Sequence, residues 1–237
     1  SPKVGAAWAL HPALTLRAAW FRTLKRPFLP DQTLEPPQVA GFNQFFDDVN
    51  GSRTERYGVA LDSKIRANLN GGVEFSWREV DKPIYEIDTG TTTTENEEER
   101  SHRAYLYYLA TDRLALSAQG CYEKFERPVT APNEVVTWRL PLSVGYFHPQ
   151  GWFGKVVSTY IDQKVTTLAD EERDDFWIVD AALGYRLPRR WGVVTVGVRN
   201  LFDRSFHYQD ENFNSGEAII PLVQPERLIY CRFTFAM

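Results

Sequence analysis

Apolar residues alternate one for one with small or polar residues through most of this chain, and that period of two most narrows the fold. Val4, Ala6, Trp8 and Leu10 alternate with Lys3, Gly5, Ala7 and Ala9, and Leu14, Leu16, Ala18 and Trp20 with Thr15, Arg17, Ala19 and Phe21. Tyr57, Val59, Leu61 and Ile65 stand against Gly58, Asp62 and Lys64, and Val73, Phe75 and Trp77 against Glu74, Ser76 and Arg78. Val136, Trp138, Leu140, Leu142, Val144 and Tyr146 oppose Arg139, Ser143 and Gly145; Trp177, Val179, Ala181, Leu183, Tyr185 and Leu187 oppose Asp180, Gly184 and Arg186. Val194, Val196 and Val198 oppose Thr195, Gly197 and Arg199, and Ile229, Cys231, Phe233, Phe235 and Met237 oppose Tyr230, Arg232 and Thr234. Successive side chains of a strand point to opposite faces, so this is strand patterning. Segments 101–110, 113–125 and 151–163 read as strands with looser alternation. The total is about eleven strands, with no helix-period segment competing.

The connections alternate as well. Short turns fall at His11–Ala13, Arg66–Asn68, Thr111–Arg113, His148–Gly151 and Leu187–Gly192. Long polar connections are expected at 25–54, 79–100, 125–135, 164–175 and 203–225. This predicts an all-β, antiparallel, up-and-down transmembrane β-barrel with tight periplasmic turns and long extracellular loops. The strands suit the ~9–11 residues of a tilted membrane strand better than the ~5–6 of a soluble sandwich. A soluble carbohydrate-binding sandwich, which shares the alternation, is therefore disfavoured. Trp8, Trp20, Trp77, Trp138, Tyr146, Trp177 and Tyr185 lie near strand ends on the apolar face, where interfacial girdles belong.

Composition supports this reading. At 14% aromatic the chain is too rich in buriable surface for disorder. No run approaches ~20 apolar residues, so helices do not span a membrane here. Two cysteines do not make a disulfide scaffold, and a net charge of −4 argues against a nucleic-acid partner.

With eleven strands, the first and last run in the same direction, both inward by the turn rule. A self-contained bacterial barrel has an even number. The chain starts at Ser1 without a signal peptide. The expectation is that residues 1–237 are the C-terminal part of a larger barrel, its remaining strands and any plug or repeat domain lying outside this sequence.

Particular residues carry a resemblance. Ser1-Pro2-Lys3-Val4-Gly5, followed by Leu14-Thr15-Leu16-Arg17-Ala18-Ala19-Trp20-Phe21-Arg22-Thr23, resembles a mid-barrel strand pair of TonB-dependent outer-membrane receptors. Val198-Arg199-Asn200-Leu201-Phe202-Asp203-Arg204 resembles that family's penultimate-strand turn, and Pro225-Glu226-Arg227 with the aromatic end its last strand. The stretch from Gln32 to Asp48 resembles a subgroup whose barrel follows tetratricopeptide repeats. The resemblance implies a 22-stranded barrel in a Gram-negative outer membrane, in contact with lipid and lipopolysaccharide. It implies a small solute of the siderophore, vitamin, haem or oligosaccharide class, and coupling to the TonB complex through regions this sequence lacks. The alternative is a passive or export-type barrel anchored to a periplasmic tetratricopeptide scaffold.

Candidate lumen-lining residues are Arg17, Arg78, Arg139, Asp180, Arg186, Arg199 and Arg232, with Lys3, Lys64, Asp62 and Glu74. A positive wall concentrates anions, and guanidinium donates in bidentate fashion to carboxylate or phosphate. The competing reading pairs these arginines with carboxylates across strands. Phe42, Asn43, Phe45 and Phe46 are candidate extracellular loop contacts, unless the phenylalanines fold the loop back onto the barrel. Acidic runs at 79–99 and 170–175 read as solvated loops or calcium sites, without a dedicated calcium spacing. His102 and His207 lie near the outer rim, the latter close to Asp203 and Asp210. Four histidines make such proximity common, so no enzyme is expected. Cys121 and Cys231 have no partner at ligand spacing, and no cofactor or metal is implied.

Overall fold

A computed structural model describes residues 2–25, 38–43, 48–86, 88–129, 132–206 and 227–235. Eleven strands form one antiparallel sheet whose spatial order follows the chain. They are β1 (Lys3–His11), β2 (Leu14–Leu24), β5 (Arg53–Arg66), β6 (Leu69–Glu86), β7 (Thr91–Thr111) and β8 (Leu114–Glu126). The sheet continues through β9 (Glu134–Phe147), β10 (Trp152–Thr166), β11 (Glu171–Arg186), β12 (Gly192–Arg199) and β13 (Leu228–Phe235). It is not closed, and β1 and β13 are its edges. A separate two-stranded ribbon, β3 (Gln38–Val39) and β4 (Phe42–Asn43), lies between β2 and β5 in sequence. The only helical turn among the described residues is a 3₁₀ turn at Pro188–Arg190.

The short turns fall where the alternation breaks. Two of the long connections are much shorter than expected. Residues 79–100 do not form a loop, because β6 and β7 run on as a ladder to the pair Glu86↔Thr91. The β-branched residues Thr91–Thr94 favour extended backbone, and Thr93 pairs with Ile84 and Thr92 with Tyr85. Residues 164–175 likewise belong mostly to β10 and β11, with the ladder closing at Thr166↔Glu171. Polar composition hid these strands: one face of the β6–β7 extension is buried, but its buried positions include the charged Glu95 and Glu97, so hydrophobic alternation does not mark it. The acidic residues are thereby divided between two faces: Glu95, Glu97 and Glu99 on one, Glu98 on the other.

Register keeps the apolar residues in phase across the seams. Trp8 pairs with Leu16, Leu16 with Leu61 and Leu61 with Val73. Val4, Trp20, Tyr57 and Trp77 form one aromatic-rich row, and Phe75, His102, Tyr122 and Trp138 form the next on the same face. Near the other end Tyr146, Gly154, Leu183 and Val196 share a row. This apolar face is the exposed one: Trp8, Leu142 and Leu183 are 66%, 48% and 58% exposed. Arg56, Arg78, Thr137 and Gln163, on the opposite face, are buried. That distribution inverts a water-soluble protein. An apolar face this continuous is stable against hydrocarbon, while the polar face is the inner one.

Leu142 lies halfway along β9 between Trp138 and Tyr146, pointing outward, and Ser143 points inward. Leu142→Arg is expected to lower stability by roughly 2–4 kcal/mol, whereas Ser143→Arg should cost far less. Denaturant unfolding of the vesicle-inserted protein checks this, and equal losses would contradict the facing of the sheet.

Candidate functional site on the inner face

A row of small residues crosses the inner face of the first strands. Gly5 pairs with Ala19, Ala19 with Gly58, Gly58 with Ser76 and Ser76 with Ser101. The shallow trough they leave receives the β3–β4 ribbon. The Phe42 ring lies over Gly58, where an added Cβ would come within 2.4 Å of it. Phe42 is 1% exposed and packs with Ala19, Phe21 and Ala60, with Val39 and Ala40 alongside.

Arginines of the wall hold this ribbon down. Arg17 Nη1 donates to the Ala40 carbonyl at 3.0 Å, and Arg56 Nη1 to the Asn43 carbonyl at 3.0 Å. The Arg17 guanidinium also lies 5.4 Å from the Phe42 ring centre, within cation–π reach. Its remaining donors grip Asp62 in bidentate fashion, at 2.5 and 3.2 Å, and reach Glu74 at 3.4 Å. Tyr105 donates its hydroxyl to the same Asp62 carboxylate. Arg56 donates to the Ser76 hydroxyl at 2.8 Å, and Arg78 bridges Asp48 and Glu99. Each buried charge thus has a partner and further hydrogen bonds, the condition under which burial is tolerated. Further along, Arg139 Nη2 contacts both oxygens of Glu123 at 2.5 and 2.6 Å. Beyond the end of β8, buried Arg127 faces Glu97 at 3.7 Å. Burial pulls the Arg127 pKa down, and Glu97 and Glu95 oppose that shift.

All seven expected lining residues lie on this face, but they divide into three groups. Arg17, Arg78 and Arg139 are engaged by carboxylates. Asp180 is a structural acceptor: its Oδ1 takes the backbone N–H of Asn200 at 2.9 Å. That bond anchors a turn in which Asn200 and Asp203 adopt left-handed φ of 49° and 54°. Asp203 Oδ1 in turn accepts the Arg227 N–H at 2.9 Å, tying the turn to β13. Arg186, Arg199 and Arg232 form no ion pair among the described residues. Arg199 and Arg232 flank the Tyr230 ring, each 6.0 Å from its centre.

The loop candidates need correction. Phe42 is buried in the wall, so it is a packing residue and not a free extracellular contact. Asn43 offers its carbonyl to Arg56, and its side-chain oxygen accepts from Gln38 Nε2 at 2.9 Å. Phe45 and Phe46 lie outside the described residues, as does His207. His102 faces outward within an aromatic cluster, with ring centres of Phe75, Trp77 and Tyr122 at 5.2, 5.3 and 5.6 Å.

Sequence reasoning missed Arg56, Tyr105, Glu99 and Glu123, and also Arg103, whose Nη2 lies 3.8 Å from Glu74. Arg56 keeps phase with Gly58 and Asp62, so it was legible. Glu99 and Glu123 were hidden by reading 79–100 as a loop and by the loose pattern of 113–125.

No known protein family and no curated protein matches this chain in sequence. Among solved structures the chain is similar to P. aeruginosa FpvA, a TonB-dependent receptor determined in complex with iron-bound pyoverdine. The TM-score is 0.58 at 12% identity, over 97% of this chain and 32% of FpvA. The shared property is the fold, and the chain spans about a third of the receptor's length.

Gly58→Leu should push Phe42 out of its trough. In a background with Cys121 and Cys231 replaced by serine and Phe42 kept, Val39→Cys on the same ribbon should react with maleimide at least several-fold faster when residue 58 is Leu than when it is Gly. Equal labelling rates would show that the ribbon is not held by this contact.

Proposed function

We propose that this chain forms part of the wall of an outer-membrane β-barrel that passes a small, anionic solute across the outer membrane. The observation that carries the proposal is the inverted sheet: an apolar face turned outward along its length, and a polar, arginine-bearing face turned inward. The fold likeness to FpvA supports it.

In hydrocarbon, the unpaired backbone along β1 and β13 would cost several kcal/mol for each orphaned group, so further strands must cover both edges. Because β1 and β13 run in the same direction, an all-antiparallel closure takes an odd number of added strands. The closed barrel then has an even number of strands, eleven of them from residues 1–237, a total that accommodates the 22-stranded barrel the resemblance implies. The outward face contacts lipid and, at the outer rim, lipopolysaccharide.

The solute class follows from the guanidiniums that form no ion pair among the described residues. Arg186, Arg199 and Arg232 lie on neighbouring strands of the inner face, and a low-dielectric wall focuses their field into the lumen. Carboxylate- or phosphate-bearing solutes suit them best. Energised uptake through the TonB complex would be supplied by other regions of the protein. The role is transport, without a catalytic step.

The full-length protein should fractionate with outer membranes and form pores in planar bilayers that prefer anions. Arg186→Gln, Arg199→Gln and Arg232→Gln together should bring that preference close to unity. Cation selectivity in the parent protein, or recovery in the soluble fraction, would overturn the proposal.

A further inference from the structure

The end of the sheet that carries the short turns holds two adjoining depressions. One is a cavity of about 730 Å³ at the tips of three turns, lined among others by Arg113, His148, Trp152, Tyr185, Arg186 and Arg189. The other is an outward-facing apolar groove of about 380 Å³ between Tyr146, Trp152 and Leu183, floored by Gly154. His148 and Trp152 border both.

The groove follows from register. Gly154 stands between Tyr146 and Leu183 in one row, so two large side chains flank an absent one. A Cβ placed there meets nothing nearer than 3.8 Å. An apolar slot of this shape on a lipid-facing wall fits a hydrocarbon chain.

The cavity differs in character. Its arginines come from the β7–β8 and β11–β12 ends, and among the described residues Asp112 is the one carboxylate that lines it. The guanidiniums of Arg113 and Arg189 have no hydrogen-bond or ion-pair partner among the described residues. Arg189 also holds a left-handed φ of 57° at the tip of its turn, a strained backbone for a non-glycine residue. His148 Nδ1 accepts from the Gln150 N–H at 3.3 Å. With Nδ1 so engaged, Nε2 is the ring nitrogen left to meet an outside acceptor. Trp152 and Tyr185, with ring centres 4.7 Å apart, mark the interfacial level, and exposed Trp191 extends it.

We infer that this end of β9–β12 is a binding site for an anionic glycerophospholipid of the periplasmic leaflet. An acyl chain occupies the groove over Gly154, and the phosphate is held by Arg113, Arg189 and His148. Guanidinium and imidazole donors with a single nearby carboxylate select a net negative headgroup over a zwitterionic one. This inference rests on reading the sheet as an outer-membrane wall.

The test uses the full-length protein in mild detergent, with phosphatidylglycerol and phosphatidylethanolamine as probes and native mass spectrometry as readout. The expected result is preferential retention of phosphatidylglycerol. Arg113→Gln with Arg189→Gln should weaken it by about tenfold or more, through the loss of charge-assisted hydrogen bonds. Gly154→Phe fills the groove while leaving the charges in place, and it should reduce retention of phosphatidylglycerol as well. A heat-modifiable gel shift verifies that each variant is folded. Equal retention of the two lipids, or unchanged retention in the folded variants, overturns the lipid site. A protein that inserts and forms pores yet shows no lipid preference loses this inference alone, whereas one recovered as a soluble protein loses the barrel reading too.

Discussion

Register is the constraint on which the rest of this structure depends. Side chains repeat every two residues along a strand, so a slip of one residue at any seam would exchange the faces of every strand beyond it. At the β2–β5 seam, such a slip would put Arg17 and Asp62 on opposite sides of the wall. The observed pairing Leu16↔Leu61 keeps the apolar residues together and brings Arg17 beside Asp62. Hydrophobic phase and charge pairing thus specify the same alignment.

The inner face uses one residue type for two purposes. On β2, β5 and β6, arginines are consumed by architecture: Arg17 and Arg78 pair with acids, and Arg17 and Arg56 clamp the β3–β4 ribbon into its trough. On β11 to β13, Arg186, Arg199 and Arg232 have no carboxylate partner among the described residues. A sum over signs treats these groups alike. Geometry separates them, because a guanidinium already bidentate on Asp62 has little field left for a passing solute, and one beside a tyrosine ring retains it.

Much of the architecture was legible in the sequence. Strand count, the short turns and the sorting of faces all follow from period-two alternation, which is strong where one face meets hydrocarbon. The reading failed where that pressure stops. Residues 79–86 and 91–100 continue the ladder beyond the aromatic row, where buried positions such as Glu95 and Glu97 are charged, so burial there leaves no hydrophobic alternation to read. The ribbon at 38–43 was illegible for another cause: its place depends on a row of small residues, Gly5, Ala19, Gly58 and Ser76, drawn from four separate strands. Only pairing reveals that these share a level. Asp180 lies on the inner face as expected, but its partner is a backbone N–H, which no side-chain pattern announces.

The connectivity has a consequence for how such a wall is built. Each strand of the sheet lies beside the preceding and following sheet strands, and there are no crossovers. A growing sheet therefore has two unpaired edges, whether it contains two strands or eleven. The cost of orphaned backbone groups in lipid stays nearly constant as hairpins are added, while the apolar area offered to hydrocarbon increases with every strand. Insertion becomes more favourable with each hairpin, so an early, small sheet is the least stable intermediate in the bilayer. Its edges are where an assembly factor would have most to contribute.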